Sequence, residues 1–239
     1  MEDRDMAYAF TEGKEYKIDY SKIKKTLIDQ AKENIFHFDH NLETYLDSWI
    51  KLLQECESLS IEQILTNTQH YQIVETFRIF HQDINYDGQK IKIHFNAELI
   101  ANEINYSQAT VHSYEVSDFS DDNAQFLWTK TEDSIFPLSE SPILAVPFKS
   151  GFHTYLVIDG NHRVTEWVKT HEKIPVILLR TNDPMLNQAI FSSIFDEMFY
   201  TFIFDCHIMS IYRNLEPNLP DGNLFSKSYL NTGVLDDTL

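Results

Sequence analysis

Through the first sixty or so residues the apolar side chains recur at three- and four-residue intervals, the spacing that lines one face of a helix. Ile23, Leu27, Ile28 and Ala31 predict a helix over 20–34 with Ser21 as its cap. Leu42, Tyr45, Leu46, Trp49, Ile50, Leu52 and Leu53 predict a second, capped by Asn41 and ending near Ser58. Ser60 and Gln63 form a capping-box pattern that opens a third through Ile64 and Leu65. Past residue 71 the period changes. Ile91, Ile93 and Phe95 alternate with Lys90, Lys92 and His94, a half-buried strand, and Asp87-Gly88 just before it is a turn signal. Residues 77–84 suit either the partner strand of a hairpin or the tail of the preceding helix, and periodicity does not separate the two.

A short helix over 96–104 follows, then a strand-like block over 110–116 and an acidic loop over 118–123. Two apolar runs, 143–148 and 152–158, flank Lys149-Ser150-Gly151 and read as strands joined by a turn. Val164, Trp167 and Val168 predict an inward-facing helix over 161–170, and IPVILL at 174–179 is an apolar strand of the kind buried on both faces. Asp183-Pro184 starts one or two further helices reaching to about Asn214. Beyond Leu215 the chain is rich in Pro, Gly and Asn, ends acidic, and reads as loosely held. The sum is an α+β (mixed α/β) protein: a mainly helical region over 1–106 with a possible hairpin near 77–95, a small sheet module over 107–180, helices over 181–214 packed on it, and a tail over 215–239.

Charge narrows the functions open to such a fold. Asp and Glu number 37 against 19 Lys and Arg, a net charge of −18. Nucleic-acid backbones are engaged through clustered cations, and the one local cluster is Lys22, Lys24 and Lys25, so nucleic acid is an unlikely partner. Cys56 and Cys206 are too few for a disulfide scaffold and lack CxxC spacing, so reduced thiols and a cytoplasmic setting are expected. The opening MEDRDMAYAF carries no basic region followed by an apolar core, so no secretory signal is expected. The longest apolar stretch, 189–212, is interrupted by Asp196, Glu197, Asp205 and His207, which argues against membrane insertion.

Candidate chemistry concentrates in YLVIDGNHRVTEW, residues 155–167, which reads as strand, tight turn and helix start. The first N–H groups of a helix lack intrahelical partners and carry partial positive charge, so such a junction can hold an anion. Gly160 lets backbone approach a ligand closely, Asn161 can cap the helix, and His162 and Arg163 add side-chain donors, Arg163 as a fork matched to phosphate. Asp159 can hold a metal ion, a ribose hydroxyl, or Arg163 itself. Turn chemistry alone also favours Asp, Gly and Asn, with Arg163 then simply paired to a carboxylate.

The run Pro-Ile-Leu-Ala-Val from Pro142, then the DGNHR turn at 159–163, then a helix and Ile-Pro-Val-Ile-Leu, resembles the ParB/sulfiredoxin-like superfamily over about residues 107–180. That resemblance implies a small α/β module binding a nucleotide (ATP, ADP or CTP) through Gly160, Asn161, His162 and Arg163. It also marks departures. Asn161 stands where sulfiredoxins carry a catalytic cysteine, and no basic helix-turn-helix follows Leu179 as it does in partition proteins, so neither activity is expected. Free-serine kinases, with a similar turn, imply a phosphotransferase that needs a carboxylate base, here Asp118, Asp121, Asp122 or Glu140, and often Mg²⁺. The expected partners are a nucleotide and a small molecule or protein; a noncatalytic nucleotide-binding or interaction module is the alternative, and DNA binding or nuclease activity by family analogy is a third reading that the net charge disfavours.

Two further patterns carry weaker chemistry. Asp83-Ile84-Asn85-Tyr86-Asp87-Gly88 reproduces the first half of a calcium loop, but His94 stands where the loop's closing Glu belongs, so a β-turn is expected. His37 and His40 in HFDH lack a third ligand at useful spacing, so no metal site is assigned there.

Overall fold

The computed structural model describes residues 6–9, 14–31, 34–66, 79–104, 109–120, 125–132, 139–150, 153–179 and 190–235. In chain order the elements are β1 (Met6–Ala9), β2 (Lys14–Lys17), α1 (Tyr20–Ala31), α2 (Asp39–Thr66), β3 (Phe80–Tyr86), β4 (Gln89–Phe95), α3 (Ala97–Glu103), β5 (His112–Glu115) and a 3-10 turn (Val116–Phe119). They continue with β6 (Phe126–Leu127), β7 (Ile143–Ser150), β8 (His153–Asp159), α4 (Asn161–Thr170), β9 (Lys173–Leu178), α5 (Ile194–Leu215), α6 (Asp221–Phe225) and α7 (Tyr229–Thr232). Helices with separate small sheets make the fold α+β, as the two periodicities predict. Contacts divide it into two compact units that interleave along the chain: Met1–Thr76, His81–His94 and Phe191–Leu239 form one, Phe77–Phe80 and Phe95–Ile190 the other.

In the first unit, α2 is one continuous helix where the sequence predicts two. Ser60 does not cap a new helix: its hydroxyl donates back to Cys56 O at 2.8 Å, a bond compatible with helix interior. The cap of α1 is Asp19 and not Ser21, since Asp19 Oδ1 accepts from the N–H groups of Ser21 and Lys22. Residues 80–86 are the partner strand of β4, and Asp87 (φ 48°) and Gly88 (φ 76°) make the left-handed pair that a two-residue hairpin requires. The calcium-like residues serve this hairpin: Asp83 pairs with Lys90 and Lys92 at 3.3 and 3.1 Å, and Asn85 Oδ1 accepts from Gly88 N. The paired strands β1 and β2 have no counterpart among the predicted elements, because four-residue strands are too short to show a period.

Helix α5 starts at a Ser193 cap and is apolar nearly all round, which suits a buried helix; it packs mainly on α2, with Trp49 against Phe202 at 5.5 Å, and also on α6. The predicted start at Asp183-Pro184 lies outside the described residues. No helix of the described residues is long and apolar enough to cross a membrane. The Pro- and Gly-rich composition after Leu215 predicts a loose tail, yet residues 216–235 carry α6 and α7 with Leu224 and Ser228 fully buried. Two carboxylates anchor it. Asp205 accepts from Tyr45, Trp49 and Ser228 side chains and from Tyr229 N. Asp221 accepts from His37 N, Phe38 N and Asn41 Nδ2 and pairs with Arg213 at 2.7 Å. His37 Nε2 lies 2.8 Å from Pro217 O, so it too serves this contact.

The second unit holds a five-stranded sheet of order β5-β9-β7-β8-β6. Strand β7 runs antiparallel to β8 and parallel to β9, with Ala145 opposite Val157 and Ile143 opposite Val176. Ile143, Ala145, Val157, Ile174 and Val176 form one face of the core and receive Val164 and Trp167 from α4. Their sequence neighbours Leu144, Val146, Leu156 and Ile158 are buried as well, so the central strands read as unbroken apolar runs.

Burial pushes the Asp221 carboxyl up, but the Asn41 amide, the two backbone N–H groups and Arg213 outweigh it and hold it below the ordinary carboxylate value. The stability this confers is present above about pH 4, the unfolded value, and is lost as pH falls through the lowered folded value. Asp221→Asn therefore destabilises the chain by about 3 kcal/mol at pH 7 through the unpaired Arg213, and the gap in melting temperature from wild type narrows as pH is lowered from 5 to 3.

Candidate functional site

Strand β8 ends at Asp159 and α4 begins at Asn161, so the whole reversal falls on Gly160. Its backbone is left-handed (φ 99°, ψ 17°), where a residue with a Cβ is strained. Space forbids a side chain as well: a Cβ there would sit 2.6 Å from Ile143 Cγ2 and 2.9 Å from Arg163 Nη2. The guanidinium of Arg163 lies folded against this glycine, only 8% of the residue exposed. Its Nη1 donates to Ser141 O at 2.6 Å and its Nη2 to Asp159 Oδ2. Of the roles open to Asp159, the structure thus displays pairing with Arg163, one helical turn away. The pair and the Ser141 contact tie the approach to β7 onto the end of β8.

The helix cap is Gly160, and Asn161 has another task. Asn161 Oδ1 accepts from Thr129 N at 2.8 Å, while one turn later Thr165 Oγ1 accepts from Thr131 N at 3.1 Å and donates to Asn161 O. These bonds lay the segment after β6 along α4. Val164 N is the first amide of α4 to bond within the helix, to Gly160 O at 2.9 Å. The amides of Asn161, His162 and Arg163 precede it and are the ones an α-helix leaves without intrahelical partners. The His162 side chain is exposed on this first turn. Glycine, three leading amides and an imidazole therefore share one junction, with the Arg163 guanidinium folded beneath.

The candidate bases separate. Asp118 Oδ2 accepts from Glu115 N, and the Glu115 side chain caps the turn in return, so Asp118 is committed to the local capping box of the 3-10 turn. Glu140 is exposed and directly precedes Ser141, whose carbonyl Arg163 holds, so its backbone adjoins that contact. Asp121 and Asp122 lie outside the described residues. No group of three His, Cys, Asp or Glu side chains able to hold a metal ion occurs among the described residues. Ser141, Thr129, Thr131 and Thr165 are the residues that sequence reasoning does not single out, because a Ser or Thr working through backbone contacts leaves no pattern.

Comparison with family models, with curated proteins and with solved structures finds no match to this chain. The site is therefore read from its own geometry.

Gly160→Ala combines a left-handed alanine, about 1–2 kcal/mol, with forced displacement of Ile143 or Arg163, roughly another 1–3 kcal/mol. Urea denaturation is expected to show a loss of at least about 2 kcal/mol. A loss below about 0.5 kcal/mol would mean the turn tolerates a side chain and is not closed as described.

Proposed function

We propose that this is a nucleotide-binding protein of ParB/sulfiredoxin-like type, with the phosphates held at the turn formed by Asp159, Gly160, Asn161, His162 and Arg163. The observation that supports this reading is the left-handed Gly160 cap, which excludes a side chain where the leading amides of α4 begin. Backbone N–H groups and the helix dipole then supply the phosphate contacts, and exposed His162 adds a donor. Arg163 acts mainly by shape. Paired with Asp159 and bonded to Ser141, it fixes the turn and leaves its charge behind the amides.

Phosphoryl transfer to a small molecule is the enzymatic form of this proposal, with Glu140 taking the acceptor's proton and Mg²⁺ arriving with ATP or ADP. A noncatalytic nucleotide-binding or interaction module is favoured by one observation, the commitment of Asp118 to capping, which leaves Glu140 as the candidate base among the described residues. The net charge of −18 keeps nucleic acid out of both readings.

Calorimetric titration with ATP, ADP and CTP in the presence of Mg²⁺ is expected to give saturable heat for at least one of them. His162→Ala should weaken that binding by about tenfold or more, the worth of one hydrogen bond to a charged group. Absence of heat with every nucleotide refutes the proposal. If the protein is a phosphotransferase, Glu140→Gln keeps the affinity and lowers turnover by about a hundredfold or more; turnover unchanged in that variant removes Glu140 as base.

A further inference from the structure

Asp-Gly occurs three times in the chain, at 87–88, 159–160 and 221–222. The dipeptide has an intrinsic chemistry. The glycine amide nitrogen can attack the Cγ of the aspartic acid, because the following residue has no Cβ to stand in its way. A C–N bond forms, the carboxyl hydroxyl leaves with the amide proton as water, and a five-membered succinimide closes. Water then reopens the ring at either carbonyl. One opening restores aspartate; the other gives isoaspartate, in which the main chain runs through the side-chain carboxyl carbon. Water lost equals water gained, so the conversion needs no other reactant.

The structure sorts the three places. Ring closure requires the Asp side chain and the next peptide to swing towards each other, so whatever holds either group opposes it. Asp221 is buried, its oxygens accept from His37 N, Phe38 N, Asn41 Nδ2 and Arg213, and Gly222 lies within α6. Asp159 is paired with Arg163, and Ile143 and Arg163 crowd Gly160 so closely that its peptide cannot swing without displacing them. Each hydrogen bond to a charged group that must open adds about 1.5–3 kcal/mol to the barrier, roughly tenfold or more in rate.

Asp87 has no such restraint. It is exposed at the tip of the β3–β4 hairpin and makes no hydrogen bond or ion pair among the described residues. Gly88 is exposed too, and a Cβ built on it meets nothing within 4 Å. Gly88 N donates to Asn85 Oδ1 at 3.0 Å, an exposed bond between neutral groups worth about 1 kcal/mol. Isoaspartate here inserts a methylene into the main chain of a two-residue turn whose left-handed pair sets β3 against β4, so the hairpin feels the change.

We propose that Asp87 is a site of spontaneous modification, converting through a succinimide to isoaspartate in the folded chain, while Asp159 and Asp221 are protected by their partners. The full chain is incubated for weeks at neutral pH and physiological temperature. Its proteolytic peptides are then read by electron-transfer fragmentation, which distinguishes isoaspartate from aspartate at identical mass. Isoaspartate is expected to accumulate at position 87 at least about tenfold faster than at 159 or 221. In the chain unfolded in guanidinium the three rates converge to within a few-fold. Asp87→Asn keeps a residue that tolerates the left-handed region and makes ammonia the leaving group, so that side chain is converted faster still, to aspartate and isoaspartate together. The proposal is overturned by native rates at 159 or 221 that match the rate at 87, or by a spread that persists on unfolding. Failure of either the wild-type chain or Asp87→Asn to react at position 87, over a period in which the unfolded chain reacts, overturns it as well.

Discussion

The guanidinium of Arg163 occupies the space that a side chain at position 160 would need, and each residue is there on the other's terms. Gly160 turns left-handed so that α4 starts directly off β8; from that start, Arg163 reaches back to Asp159 and to the carbonyl of Ser141. Strands β7 and β8 are central neighbours in the five-stranded sheet, so a clamp across the approach to one and the end of the other sets the frame in which α4 packs. A buried cation is tolerated only when paired and hydrogen-bonded, and here Asp159 of the same turn supplies the pair and the Ser141 carbonyl, ahead of β7, the further hydrogen bond.

That constraint changes how the turn meets a ligand. A solvent-facing arginine would present a fork to phosphate, but this one presents its fork to Asp159 and Ser141. Under the proposed reading, recognition would fall to the leading amides of α4 and to His162, with the guanidinium contributing field from behind. Such a site orients an anion by backbone geometry, which suits a phosphate whose attached group is selected elsewhere in the protein.

Much of this was open to a reading of the sequence. The strand, turn and helix from Tyr155 to Trp167 follow from four apolar residues, a Gly in a polar hinge, and Val164 and Trp167 at helical spacing; all fall where the pattern puts them. The turn at Asp87-Gly88 is equally legible, because two positive-φ residues are a local demand, whereas its partner strand is not, since the periodicity before it suits a helix as well. What the pattern does not hold is which partner a polar side chain takes. Ser60 could cap or bond back to Cys56; Asn161 could cap or hold Thr129; Asp118 could face a substrate or close a capping box. In each case tertiary surroundings decide, and the local sequence is compatible with both.

The acidic composition illustrates the same limit. Asp196, Asp205 and Asp221 are buried, each accepting several hydrogen bonds from distant parts of the chain. They act as internal anchors for the C-terminal residues, a role invisible to net charge. Backbone resonances report most directly on the turn from Asp159 to Arg163. In ¹⁵N-labelled protein titrated with Mg²⁺ and ATP, ADP or CTP, the account predicts that the amides of Gly160, Asn161, His162 and Arg163 shift together and saturate with one nucleotide. Saturable shifts confined to other residues, or none with any nucleotide, would contradict it.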